Sequence, residues 1–128
     1  MPNRADQFIE ALRQLEQGGE AEPIASLFAE GADVSNPLVE HAHEGEGGAR
    51  AFWTAYRAAF DEIGSEFRNV VEGEDASLLE WVSTGSLKGG EPIRYGGVSV
   101  LEYGESGITA FRTYFDTAQL RTTAGGRG

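Results

Sequence analysis

Apolar residues recur at three- and four-residue spacing over the first part of the chain, then at two-residue spacing over the rest. From Ala5 to Glu16, Phe8, Ile9, Leu12 and Leu15 form one stripe, which predicts a helix stopped by Gly18-Gly19. Pro23 fits the first turn of a short second helix carrying Ile24, Leu27 and Phe28, with Gly31 just past its end. Asp33 to Asn36 reads as a short strand that turns at Pro37, and Leu38 to Gly48 as a polar loop. A third helix is predicted over 49–63, because Phe52, Trp53, Tyr56, Ala59, Phe60 and Ile63 keep helical spacing.

After Gly64 the period becomes two. Phe67/Asn69/Val71, Leu79/Trp81/Ser83, Val98/Val100 and Phe111/Thr113/Phe115 predict strands with one face inward. The glycine-containing stretches 73–75, 89–92 and 104–107 separate them as hairpin turns. Helices followed by a meander give an α+β fold, a curved antiparallel sheet packed against three N-terminal helices. The interior cavity between these layers is the default binding site. One domain over 1–121 and a flexible, glycine-rich tail over 122–128 complete the plan.

Composition and charge remove whole classes of function. The chain has 128 residues, 40% of them hydrophobic and 10% aromatic, which suits one globular domain. With no cysteine, disulfides, thiolate metal sites and cysteine nucleophiles are excluded. No apolar run approaches a membrane span and the N-terminus has no signal-peptide core, so a cytoplasmic protein is expected. Ten Lys+Arg against 21 Asp+Glu give a net charge of -11, which disfavours nucleic acid and anionic membrane as partners.

Four segments carry a resemblance over nearly the whole chain. They are Ile24 to Ala29, Val34 to Leu38, the helix around Phe52-Trp53, and Ile108 to Asp116. In order and spacing the chain resembles the nuclear transport factor 2-like superfamily, in its SnoaL-like (polyketide cyclase-like) branch. The resemblance implies a cone-shaped α+β barrel with an interior cavity and commonly a homodimer through the outer face of the sheet. Relatives include ketosteroid isomerases, limonene-type epoxide hydrolases, polyketide cyclases and noncatalytic binders, so the fold leaves activity open.

Checked position by position, the catalytic sets implied by the resemblance are replaced. The base of the isomerases falls on Asn36 and their oxyanion tyrosine on Phe8. Among the epoxide-hydrolase positions, the asparagine matches Asn36, but the tyrosine falls on Val34. The arginine and its aspartate fall on Trp81 and Ser83, and the base falls on Thr113, whose hydroxyl has no charge with which to activate water. The acid/base aspartate of the cyclases also aligns near Thr113. Asp116 is then the nearest carboxylate in sequence, although its spacing to Gln119 also suits a turn cap.

The expected function is therefore binding of a small apolar molecule, with no cofactor and no metal. Asn36, Trp53, Tyr56, Trp81, Ser83, Val98, Val100, Thr113 and Phe115 are the expected lining. Asn36, Tyr56, His43 and Asp116 are the candidates for acid/base work if the protein is instead a cyclase, isomerase or epoxide hydrolase. Tyr56 and Tyr95 are the phenols placed near the interior. His41, His43, Glu44 and Glu46 crowd together, but a lid or a solvated loop suits their glycine-rich surroundings better than a metal site. The pairs Gly89-Gly90 and Gly96-Gly97 lack the helix and lysine of a phosphate loop and read as turns or bulges. A third alternative is a noncatalytic dimeric interaction module, with Arg112 and Tyr114 on an outer face. A carboxylate within reach of Asn36, Ser83 and Thr113 would favour the enzyme.

Overall fold

A computed structural model describes residues 3–36, 39–43 and 48–119. Two helices open the chain, α1 (Arg4–Gly18) and the single turn α2 (Glu22–Ala25), followed by β1 (Phe28–Asn36) and β2 (Val39–His43). Helix α3 (Gly48–Ala58) precedes four long strands: β3 (Phe60–Glu72), β4 (Ala76–Leu87), β5 (Pro92–Gly104) and β6 (Gly107–Phe115). Among the described residues, no helix is long and apolar enough to cross a membrane. The expected tail over 122–128 and residues 44–47 lie outside the described residues.

The fold is α+β, and its sheet has six strands in the order β2-β1-β6-β5-β4-β3. Three features correct the expectations. First, the sheet is mixed: β1 runs parallel to β6, while every other pair is antiparallel. Hairpin turns can only predict antiparallel neighbours, and β1 meets β6 from the far end of the chain. Second, β2 and β3 form free edges, so the sheet is open and does not close into a barrel. Third, the stretch expected as a polar loop contains β2, which pairs with β1 through Val34↔His43 and Asn36↔Val39.

The third helix is also shorter than its apolar spacing predicts. It ends at Ala58, and Phe60 and Ile63 belong to β3. The register slips by one residue between Phe60 and Glu62. This bulge lets side chains three apart in sequence both turn inward, so a helical spacing arises within a strand. A second slip, between Phe67 and Asn69, inverts the alternation again and leaves Val71 exposed opposite Leu78. The second helix likewise stops early, and Phe28 begins β1.

The buried residues form two clusters. One joins α1, α2 and α3 to β1 and the adjoining strands through Phe8, Leu12, Leu15, Ile24, Phe52, Trp53, Leu101 and Phe111. The other comprises Phe60, Ile63, Trp81, Ile93 and Tyr95. Tyr56 and Phe67 pack against both. Between the clusters the layers do not fully close.

Candidate functional site

A pocket of about 270 Å³ occupies this gap. Phe8, Phe52, Trp53 and Phe111 form one end, while Phe60, Trp81, Tyr95 and Phe115 form the other. The rings meet mostly edge to face: Trp53 and Phe111 centroids are 5.1 Å apart, and Trp81 and Tyr95 5.3 Å apart. Among the described residues, no charged side chain lines the space. Its polar groups are Asn36 at the end of β1 and the hydroxyls of Tyr56, Ser65, Ser83, Tyr95, Ser99 and Thr113.

Strand parity explains why several of these residues converge. Leu79, Trp81 and Ser83 on β4 and Phe111 and Thr113 on β6 all point to the helix side of the sheet. Trp81 gains room there because its partner on β5 is Gly97. A β-carbon at that position would stand 2.9 Å from the indole Cζ2 and 2.3 Å from the Tyr114 carbonyl oxygen. The indole Nε1–H donates to Ser99 Oγ at 3.0 Å, and Ser99 Oγ lies 2.8 Å from Thr113 Oγ1. Trp81, Ser99 and Thr113 thus form a neutral hydrogen-bonded string along the pocket wall.

A buried carboxylate stands behind the opposite wall. Glu16, near the end of α1, is only 5% exposed. It accepts hydrogen bonds from the Tyr56 hydroxyl at 2.8 Å, the Ser65 backbone N–H at 3.1 Å and the Ser65 hydroxyl at 2.6 Å. Ser65 Oγ lies 2.6 Å from Ser83 Oγ, which carries the chain across from β3 to β4. Burial, then the Glu16 charge, pushes the Tyr56 phenol well above its ordinary range, and the same two causes raise Tyr95. Both phenols therefore stay protonated at neutral pH.

Seven of the nine expected lining residues border the pocket: Asn36, Trp53, Tyr56, Trp81, Ser83, Thr113 and Phe115. Val98 and Val100 do not, and this is a correction. The inward residues of β5 are Tyr95, Ser99 and Leu101, so the two valines, of opposite parity, face away from the helices. Asp116 takes the turn-cap role that its spacing to Gln119 suits, and it does not line the pocket. It is exposed beyond β6, where its Oδ1 accepts the Ala118 N–H at 2.9 Å and caps the last described turn. His43 falls in β2, where the side chains lie outside the described residues, as do Glu44 and Glu46. Glu16 was absent from the sequence candidates, although it continues the α1 stripe four residues after Leu12.

The family model for the SnoaL-like domain matches residues 5–111. The chain belongs to the SnoaL-like domain family. Solved structures share the fold of this SnoaL-like domain at low identity. An NTF2-like protein from Anabaena variabilis is 21% identical with a TM-score of 0.78, over 88% of this chain and 86% of that one. A Mycobacterium tuberculosis LEH-like epoxide hydrolase is 17% identical at 0.69, over 95% and 91%. SalBIII, an epoxide hydrolase/cyclase-like enzyme of pyran ring formation in the polyether salinomycin, is 17% identical at 0.75, over 91% and 92%. No match to this chain in sequence was found among curated proteins.

Proposed function

We propose that this SnoaL-like domain binds a small, mainly apolar ring compound in the pocket between its two core clusters. The observation that carries the reading is the lining itself: aromatic rings at both ends and uncharged polar groups between them. A thermal-shift screen of steroids, terpenes, epoxides and aromatic polyketides tests it, because a ligand that binds only the folded state raises the midpoint with its concentration. A concentration-dependent rise with one of these classes is expected, and Trp81→Ala should change which compounds bind. No rise with any class would overturn the reading.

The second reading is an enzyme of the cyclase, isomerase or epoxide-hydrolase type. It is favoured by the Glu16 carboxylate, one hydrogen bond behind Tyr56 and Ser65. It ranks second because that carboxylate already accepts three hydrogen bonds from the protein and does not itself line the pocket. Turnover of a bound compound that disappears in Glu16→Gln while binding persists would reverse the ranking.

We further propose that a second copy of the chain covers the outer face of the sheet. Val71, Leu78 and Tyr114 are 60%, 45% and 56% exposed there. In the strand register Leu78 pairs with Val71 and Val100, and Tyr114 pairs with Val98, so these side chains form an apolar strip. Light scattering should give twice the chain mass, and Leu78→Glu should give the monomer. A wild-type monomer at high concentration would remove the proposal.

A further inference from the structure

The pocket hydroxyls are joined in chains whose proton directions are fixed, and this determines what they offer a ligand. A carboxylate has acceptor sites only, so the Ser65 hydroxyl proton goes to Glu16 Oε2. The 2.6 Å contact between the serines then runs from Ser83 to Ser65. Ser83 Oγ has no proton left and can present only a lone pair. The same count holds on the other side. Thr113 donates to the Val98 carbonyl at 3.3 Å, so Ser99, already accepting from Trp81, donates to Thr113. Tyr56 donates to Glu16.

Tyr95 differs from all of these. Its side chain lines the pocket, yet its hydroxyl donates to no described residue. It stays protonated, for burial and the Glu16 charge both oppose its ionisation. Ser83 and Tyr95 are paired across β4 and β5 and share the inner face of the sheet. Two paired positions of the pocket wall therefore carry an obligate acceptor, Ser83, and an uncommitted donor, Tyr95.

Resting on the pocket reading above, we propose that the ligand is a ring compound bearing a hydroxyl group, which sits at the Ser83–Tyr95 pair. A hydroxyl answers both groups at once: its proton goes to Ser83 Oγ, and its oxygen accepts from the Tyr95 hydroxyl. A ketone or an ether answers Tyr95 alone, and a hydrocarbon answers neither. The aromatic ends of the pocket hold the ring skeleton, whichever group it carries.

Tetralol, tetralone and tetralin share one bicyclic skeleton and differ only in this group. Their affinities for the full chain can be read from the fluorescence of Trp53 and Trp81, both on the pocket wall. Tetralol is expected to bind about ten-fold more tightly than tetralone, the worth of one added hydrogen bond. Ser83→Ala should erase that advantage while leaving tetralin unchanged. Tyr95→Phe should weaken tetralol and tetralone together. Equal wild-type affinity for tetralol and tetralone overturns the hydroxyl assignment but leaves the pocket standing. Binding by none of the three overturns the pocket reading, and the hydroxyl assignment with it.

Discussion

At the scale of single residues, the side chain with the most at stake is Glu16. A carboxylate so deeply buried is tolerated because three donors converge on it. Replacing it with alanine leaves the Tyr56 hydroxyl and both Ser65 donors unpaired, so Glu16→Ala should cost about 3 kcal/mol in urea unfolding. Tyr56→Phe removes one donor and leaves the other two in place. Its expected cost is about 1 kcal/mol. Sequence periodicity places Glu16 on the buried stripe of its helix, but a glutamate ending a helix is usually solvated. Only the serine brought beside it by β3 reveals why it faces inward.

The same residues set a pH dependence. Tyr56 ionises less readily in the folded protein than in the unfolded chain, chiefly through burial and then through Glu16. Its contribution is fully present below the unfolded tyrosine value of about 10, and is lost as pH rises above that value toward the folded one. Tyr95 and Tyr103 are raised as well. The melting temperature should therefore be insensitive to these phenols near neutrality and fall in alkali. In Tyr56→Phe the alkaline fall should be shallower without disappearing. A variant with an alkaline limb superimposable on the wild type would show that Tyr56 ionises normally.

At the scale of elements, strands with unbroken alternation are legible and strands with slips are not. The faces of β4 and β6 follow directly from Leu79/Trp81/Ser83 and Phe111/Thr113/Phe115. In β3 two slips imitate other patterns, and periodicity alone extends the preceding helix into it. For β5 the valines at 98 and 100 resemble an inward face by hydropathy. The inward face is instead built from Gly97, Ser99 and Leu101, because glycine and serine leave space for the Trp81 indole and bond its nitrogen. Gly97→Ala tests this packing directly. The new methyl group meets both a backbone carbonyl and the indole, so a loss of about 2 kcal/mol is expected. A shift in the Trp81 fluorescence spectrum or in ligand preference should accompany it. An unchanged melting temperature would mean that the strands part easily at this point.

At the scale of the whole molecule, the α+β plan and the family were both readable, from the order of the helices and strands and from the four segments that carry the resemblance. The inward faces of β4 and β6 followed from parity. The pattern of hydroxyl contacts was not readable, since it depends on which hydroxyl touches which, across strands far apart in sequence. The parallel contact between β1 and β6 was equally invisible, having no turn of its own to announce it.

That contact makes the last strand a keystone. Strand β6 lies in the interior of the sheet, between β1 and β5, although it follows the other described strands in sequence. Until residues 107–115 have emerged from the ribosome, the first hairpin and the three-strand meander share no strand pairing, and each keeps an open edge. A chain ending at Gly104 should therefore unfold without a cooperative transition, although it retains five of the six strands. In the cell, β1 and β2 join the rest of the sheet only once β6 has been made, and a fault in β6 reaches back to the first strand.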